Sequence, residues 1–195
     1  MRVLHHFALW TLGLASPGTF YTATECACLE RHARGRKRVM EIGCWHGVNT
    51  RRLRGAMSPD GVLFAVDPYA PGQLGFSAQR VIALSEVGKE TNGTLRWIRM
   101  TDLEAARWFA ESHEEPLDFV FSDARNCWEG FKATWDAWSP LVAPGARYIL
   151  GSSRPTPEMP IEGAASVVYT REVIVHDPRF RVVETVGMCT VLERI

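Results

Sequence analysis

The sequence predicts a doubly wound α/β fold: a mostly parallel, seven-stranded sheet with helices on both faces and an antiparallel strand in a C-terminal hairpin. Three observations predict it. Short apolar runs at residues 39–42, 61–66, 95–100, 117–122 and 147–150 alternate with helix-patterned segments, as parallel strands joined by helical crossovers do. The first run enters a glycine turn, Gly43 to Gly47, and the second ends in an acid, Asp67. The last two runs, 180–186 and 188–193, are separated only by about Gly187, so they pair as a hairpin.

Each element has a local reason. Thr22-x-x-Glu25 is a capping box and Gly35 a helix stop, so a helix spans about 23–34. A helix after Gly47 carries Val48, Leu53, Ala56 and Met57 and stops at Ser58-Pro59-Asp60-Gly61. A helix over 77–87 ends at Gly88. Thr101-x-x-Glu104 opens another, running through Ala110. Trp128, Phe131, Trp135 and Trp138 recur at intervals of three and four, one helical face packed on the sheet. Pro144-Gly145 turns into the fifth strand, and a helix is expected near 162–176. The 195 residues suit one domain, with a helical segment over 1–36 and the core over 37–195.

Bulk properties narrow the function. Lys plus Arg and Asp plus Glu number 22 each, so no general attraction to nucleic acid or an acidic membrane is expected. The basic cluster from Arg31 to Arg38 reads as a solvated helix end. Five cysteines with no Cys-x-x-Cys pair suggest reduced thiols, a cytoplasmic setting and no metal. The apolar N-terminus, interrupted by His5-His6, is expected to be a packing helix, a cover for the site, or a contact in a homodimer. It falls short of the ~18 apolar residues that span a bilayer.

Open α/β sheets bind ligands at the carboxyl ends of their strands. Gly43 and Gly47 let the backbone approach a ligand, and Asp67, 24 residues after Gly43, can accept ribose hydroxyls. Glu41 adds a second acid at the first strand's end. The dinucleotide fingerprint needs a glycine where Trp45 stands, which disfavours a pyrophosphate and a dehydrogenase.

The Glu41-to-Gly47 stretch followed by Ala65-Val66-Asp67 resembles the first two motifs of the class I S-adenosylmethionine-dependent methyltransferases, which are Rossmann-like. The resemblance covers nearly the whole chain. It implies cofactor contacts from Glu41, Gly43, Trp45, Gly47, Asp67, Thr101, Asp102, Leu103 and Asp123. The stretch 120–131, with Trp138-Ser139-Pro140-Leu141 and Pro144-Gly145, resembles a bacterial subgroup that O-methylates small molecules. That subgroup reads Asp-Gly-Asp-His-Ser-Tyr-Glu-Gly. Here Asn126 stands at its histidine, Arg125 at its second aspartate, and Gly151-Ser152-Ser153 where aspartates end the fifth strand.

So few carboxylates make a poor magnesium site, and metal-independent transfer is expected. Without the histidine, the catalytic candidates are Asp123, Asn126 and His46. Asparagine takes up no proton near neutrality, and His46 has hydrogen bonding or packing as its alternative role. The leading expectation is an S-adenosylmethionine-dependent O-methyltransferase of a small molecule. The alternatives are a binder of this cofactor that has lost catalysis and, less favoured by the neutral charge, an RNA methyltransferase. Trp10, Tyr69, Phe76 and Trp128 are candidates for an aromatic acceptor pocket or for core.

Overall fold

A computed structural model describes residues 3–72, 75–112, 114–123 and 127–195. Seven strands form one sheet: β1 (Arg38–Ile42), β2 (Val62–Val66), β3 (Thr94–Ile98), β4 (Leu117–Ser122), β5 (Val142–Leu150), β6 (Phe180–Val186) and β7 (Cys189–Arg194). Their spatial order is β3-β2-β1-β4-β5-β7-β6, and β7 alone runs antiparallel to its neighbours. The order reverses between β1 and β4, where Val39 pairs with Leu63 on one side and Phe119 on the other. That reversal opens a crevice at the strands' carboxyl ends.

Helices α1 (Val3–Thr11) and α2 (Ala23–Ala33) precede the sheet; α3 (Val48–Ala56), α4 (Ala78–Val87), α5 (Asp102–Glu111), α6 (Trp128–Trp138) and α7 (Ala165–Glu172) connect it. Alternate strand residues feed two cores, as the two-residue period of a strand requires. Val39, Leu63, Phe119, Phe121 and Ile149 pack with Cys26, Leu29 and Leu53 on the α2–α3 face. Met40, Phe64, Val120, Tyr148 and Leu192 pack with Phe109, Phe131, Trp135 and Trp138 on the other. The aromatic stripe of α6 is therefore core. Trp138 is fully buried and its indole donates to the Asp102 carbonyl at 3.2 Å. Glu41 shares the α2–α3 side of β1, with the residues at positions 39 and 41 alternating against those at 40 and 42.

Two elements depart from the sequence reading. The expected turn at Pro144-Gly145 lies inside β5, which already starts at Val142. Leu117 pairs with Val142 but Phe119 with Arg147, so β5 bulges there. Pro144, lacking an N–H, and Gly145, at φ 77°, occupy the bulge. The expected 162–176 helix is shorter: α7 ends at Glu172, and a 3-10 turn follows over Ile174–His176. Val173 breaks the run at φ −124°, in a stretch rich in β-branched residues.

The N-terminal segment crosses the top of this frame. α1 buries no residue of its own and lies against α4, with Phe7 packed on Phe76 at 5.6 Å. The chain then passes over the glycine turn and enters α2 through the Thr22–Glu25 capping box. The second Glu25 oxygen accepts from the Met188 N–H at 2.6 Å, which ties the start of α2 to the β6–β7 turn. Among the described residues no helix is long and apolar enough to cross a membrane.

Candidate active site at the carboxyl ends of β1, β2, β4 and β5

The turn after β1 is held in a shape few residues adopt. Gly43 (φ 90°), Trp45 (φ 47°) and Gly47 (φ 75°) all have left-handed backbones. A Cβ on Gly47 would also meet Val87 Cγ2 at 2.7 Å and the Ala83 backbone at 3.1 Å, so α3 starts pressed against α4. Trp45 carries the strain of a side chain in that region. Asp67 supplies the restraint: its Oδ2 accepts from the N–H of Cys44 at 3.1 Å and of Trp45 at 3.0 Å, and its Oδ1 from Tyr69 at 2.9 Å. A carboxylate has about four acceptor positions, so Asp67 positions the loop and keeps little capacity for ribose hydroxyls.

Rings stack across the loop. Phe20 lies on Trp45 at 4.6 Å, Trp45 on His46 at 4.1 Å, and His46 on His6 at 4.9 Å. The Gly18 N–H donates to His46 Nδ1 at 3.0 Å. Burial, with His6 beside it, pushes the His46 imidazole down to about 4. The ring is neutral near pH 7 and one lone pair is already used. His46 here fastens the N-terminal segment to the loop.

Glu41 is the most unusual group in the site. It is wholly buried, and neither carboxyl oxygen makes a well-formed hydrogen bond among the described residues, although the Thr50 hydroxyl and the Cys44 thiol lie beside it. Desolvation pushes it up to about 8; Thr50 and Cys44 beside it partly offset this, and the charges of Asp123 and Asp67 add to it. Evolution rarely retains such an acid for stability, since a buried unpaired carboxyl is costly.

Asp123 follows β4, with its N–H donated to the Ile42 carbonyl at 2.9 Å. The Ser152 hydroxyl donates to Asp123 Oδ1 at 3.1 Å. Beside them stands Tyr21, which the sequence reading missed. A Cβ on Gly151 would lie 2.0 Å from the Tyr21 hydroxyl oxygen and 3.0 Å from Asp123 Oδ1. The hydroxyl thus fills the place a side chain at 151 would take. Burial and the Asp123 charge push the Tyr21 phenol well above its ordinary range, so it remains a proton donor. A narrow cleft of ≈ 20 Å³ joins these parts, lined by Gly18, Phe20, Tyr21, Gly43, Trp45 and Asp123 among others. No local motif marks Tyr21; only the path of the N-terminal segment over the sheet brings it here.

The remaining expected site residues fall elsewhere or outside the described residues. Thr101 caps α5 through its capping box with Glu104. The Asp102 carboxylate accepts from the Thr134 hydroxyl of α6, so it is spent between helices. Leu103 is exposed, and none of the three lines the cleft. Asn126 and Arg125 lie outside the described residues. The four aromatics do not share a pocket: Trp10 packs on Phe7 and Phe7 on Phe76, Tyr69 meets Trp97, and Trp128 meets Tyr169. All five cysteines are free.

Comparison with known proteins decides the family. A family model described as a methyltransferase domain matches residues 40–151, the span from β1 to the end of β5. The chain is a class I methyltransferase. The cofactor of this family is S-adenosylmethionine. The methyltransferase superimposes on an O-methyltransferase from Bacillus cereus solved with S-adenosylhomocysteine, at a TM-score of 0.66 and 19% identity, over 98% of this chain and 89% of that one. It is equally similar to TomG, an O-methyltransferase of tomaymycin synthesis from Streptomyces achromogenes solved with S-adenosylmethionine. There the TM-score is 0.66 and the identity 20%, over 100% of this chain and 90% of that one. No curated protein matches the sequence. At these identities the structures speak for the fold, and the matched family for methyl transfer.

Proposed function

We propose that this methyltransferase moves the methyl group of S-adenosylmethionine to an oxygen of a small molecule, without a metal ion. The observation that carries the cofactor assignment is the orphaned Glu41 carboxyl beneath a glycine loop. A buried acceptor with no well-formed hydrogen bond suits the ammonium of the methionine part, whose charge would draw Glu41 into its ionised form. Gly43, at φ 90° and lining the cleft, lets the backbone turn beside it, and one acceptor position of Asp67 is left for the ribose. In this reading the adenine extends outside the narrow cleft toward Thr101 and Leu103, at the start of α5. When bound, the cofactor supplies a methyl group on an activated sulfonium.

The chain's own residues then have modest tasks: to align the acceptor oxygen and exclude water. Asp123, held by Ser152, takes the acceptor's proton where one must leave. Tyr21, kept protonated and placed beside Asp123, can offer its hydroxyl to the acceptor oxygen. His46 contributes loop geometry rather than basicity. The resemblance puts Asn126 in the role of the subgroup's histidine, orienting the acceptor by hydrogen bonding, and an acceptor that ionises readily, such as a phenol or a carboxylate, suits an enzyme lacking that histidine. Both similar structures are of O-methyltransferases, which supports oxygen as the target. A cytoplasmic protein, monomeric or homodimeric, is consistent with this reading.

A second reading is a cofactor-binding protein without turnover. His46, engaged and hard to protonate, favours it. Incubation with S-adenosylmethionine and a panel of phenols and carboxylic acids, read by S-adenosylhomocysteine release, separates the two. Acceptor-dependent release supports the enzyme; cofactor binding with no release across the panel supports the second reading.

A further inference from the structure

A second cluster of chemistry-bearing side chains lies away from the cleft, between α2 and β6. Cys28 and His32 stand one helical turn apart on α2, on the same face. Glu184 reaches them from β6. The Cys28 Sγ, a ring nitrogen of His32 and a carboxylate oxygen of Glu184 all lie within 4.8 Å of one another. His32 Nε2 is 2.8 Å from Glu184 Oε2. Arg31 Nη2 holds the same carboxylate, at 2.7 Å from each oxygen. Methyl transfer uses none of these groups.

We propose that Cys28, His32 and Glu184 form a binding site for a zinc-class divalent cation, with the fourth position open to water. Thiolate, imidazole and carboxylate are a zinc donor set, and three protein ligands plus water is a stable tetrahedral arrangement. Calcium and magnesium, which want oxygen ligands, are excluded by the thiol and imidazole. In a tetrahedral zinc site the donors stand roughly 3.4–3.7 Å apart, from bonds of about 2.0–2.3 Å. The His32–Glu184 pair, now at 2.8 Å, would open by somewhat under 1 Å, and the most distant pair, within 4.8 Å, would close by about 1 Å. Arg31 competes for Glu184, but it is exposed and can keep Oε1 while the metal takes Oε2 between His32 and Cys28.

The charges balance. The metal–sulfur bond replaces the Cys28 S–H bond and the thiol proton leaves to solvent. The His32 ring proton shifts to Nδ1 so that Nε2 can ligate, and Glu184 is held in its anionic form by His32 and Arg31. Thiolate and carboxylate together neutralise the dication. The sequence reading expected no metal because it looked for paired cysteines; the fold supplies the third ligand from a position 152 residues beyond His32. The bound ion would staple to β6 the helix whose first turn follows Tyr21.

The test is a cobalt titration of chelator-stripped, tag-free protein, followed by zinc competition in a calorimeter. One equivalent of Co²⁺ should give a thiolate-to-cobalt charge-transfer band in the near ultraviolet, and Zn²⁺ should abolish it. Cys28→Ser should lose the band, and Glu184→Gln should weaken zinc binding by about 10-fold or more. Cys26→Ser should keep both. Zinc should raise the melting temperature of the wild type and leave Cys28→Ser unmoved, with circular dichroism reporting that each metal-free variant is folded. No band, a band that survives Cys28→Ser, or zinc affinity unchanged in Glu184→Gln would overturn the proposal.

Discussion

Replacing Glu41 by glutamine should stabilise the cofactor-free protein at alkaline pH while weakening cofactor binding. In the fold the Glu41 carboxyl titrates near 8, against 4.5 in an ordinary setting. Between those values the unfolded chain has released this proton and the folded chain still holds it. The folded state then binds more protons, so stability falls as pH rises through this window. Each pH unit is worth about 1.4 kcal/mol at full slope. The window spans 4.5 to about 8, so the loss approaches about 5 kcal/mol as an upper bound. Below 4.5 the group is protonated in both states and the penalty vanishes.

Glutamine stays neutral throughout, so Glu41→Gln removes this slope. Urea denaturation of both proteins from pH 4.5 to 9 measures it, with equal m-values confirming the same transition. The difference in stability should grow with pH and level off above about 8. Parallel curves for the two proteins would refute the reasoning. Binding provides the complementary sign: a cationic cofactor group should drive the proton off Glu41, so calorimetry near pH 7 in buffers of different ionisation enthalpy should detect proton release with the wild type only.

Asp67→Ala deletes the acceptor of three backbone N–H groups, at about 1.5–3 kcal/mol for each charge-assisted bond. It should lower stability as well as S-adenosylhomocysteine affinity, measured by melting and calorimetry, and a change in affinity alone would contradict the clamp assigned to it. Gly151→Ala places a methyl on the Tyr21 hydroxyl, 2.0 Å away. It should depress turnover sharply, and pairing it with Tyr21→Phe, which removes that oxygen, should recover stability relative to Gly151→Ala alone; a double mutant no more stable than Gly151→Ala would argue against the contact. Methyl transfer should survive EDTA at 25 °C even if a zinc ion is stripped from Cys28, His32 and Glu184. Loss of turnover restored by magnesium would show carboxylate ligands at the β4 and β5 ends that the metal-free reading omits.

The fold was legible because its signals are local and repeated. β4 and β6 run over the residues expected from apolar runs, and the α2 and α5 starts follow from capping boxes visible as Thr-x-x-Glu. β5 was misjudged at its start because Pro144-Gly145 is turn chemistry that a bulge can also use. The site was legible where one strand end carries its own marker, as at Glu41, Gly43, Gly47 and Asp67. It was hidden where distant segments meet. Tyr21 comes from the N-terminal segment, and no spacing in the sequence connects it to Gly151. Asp102, next to a strand end on paper, is turned to Thr134 by the rotation of α5. His46 was open in the sequence between a base and a packing residue, and its stacking between Trp45 and His6, with Nδ1 accepting from Gly18, supports the packing role.

Isothermal calorimetry with S-adenosylhomocysteine, S-adenosylmethionine and NAD tests the central claim most directly, that the crevice at β1 and β2 is a sulfur-nucleoside site. The account predicts saturable one-to-one binding of both sulfur nucleosides, weakened in Glu41→Gln, and no heat from NAD. Binding of NAD with no response to either sulfur nucleoside would contradict it.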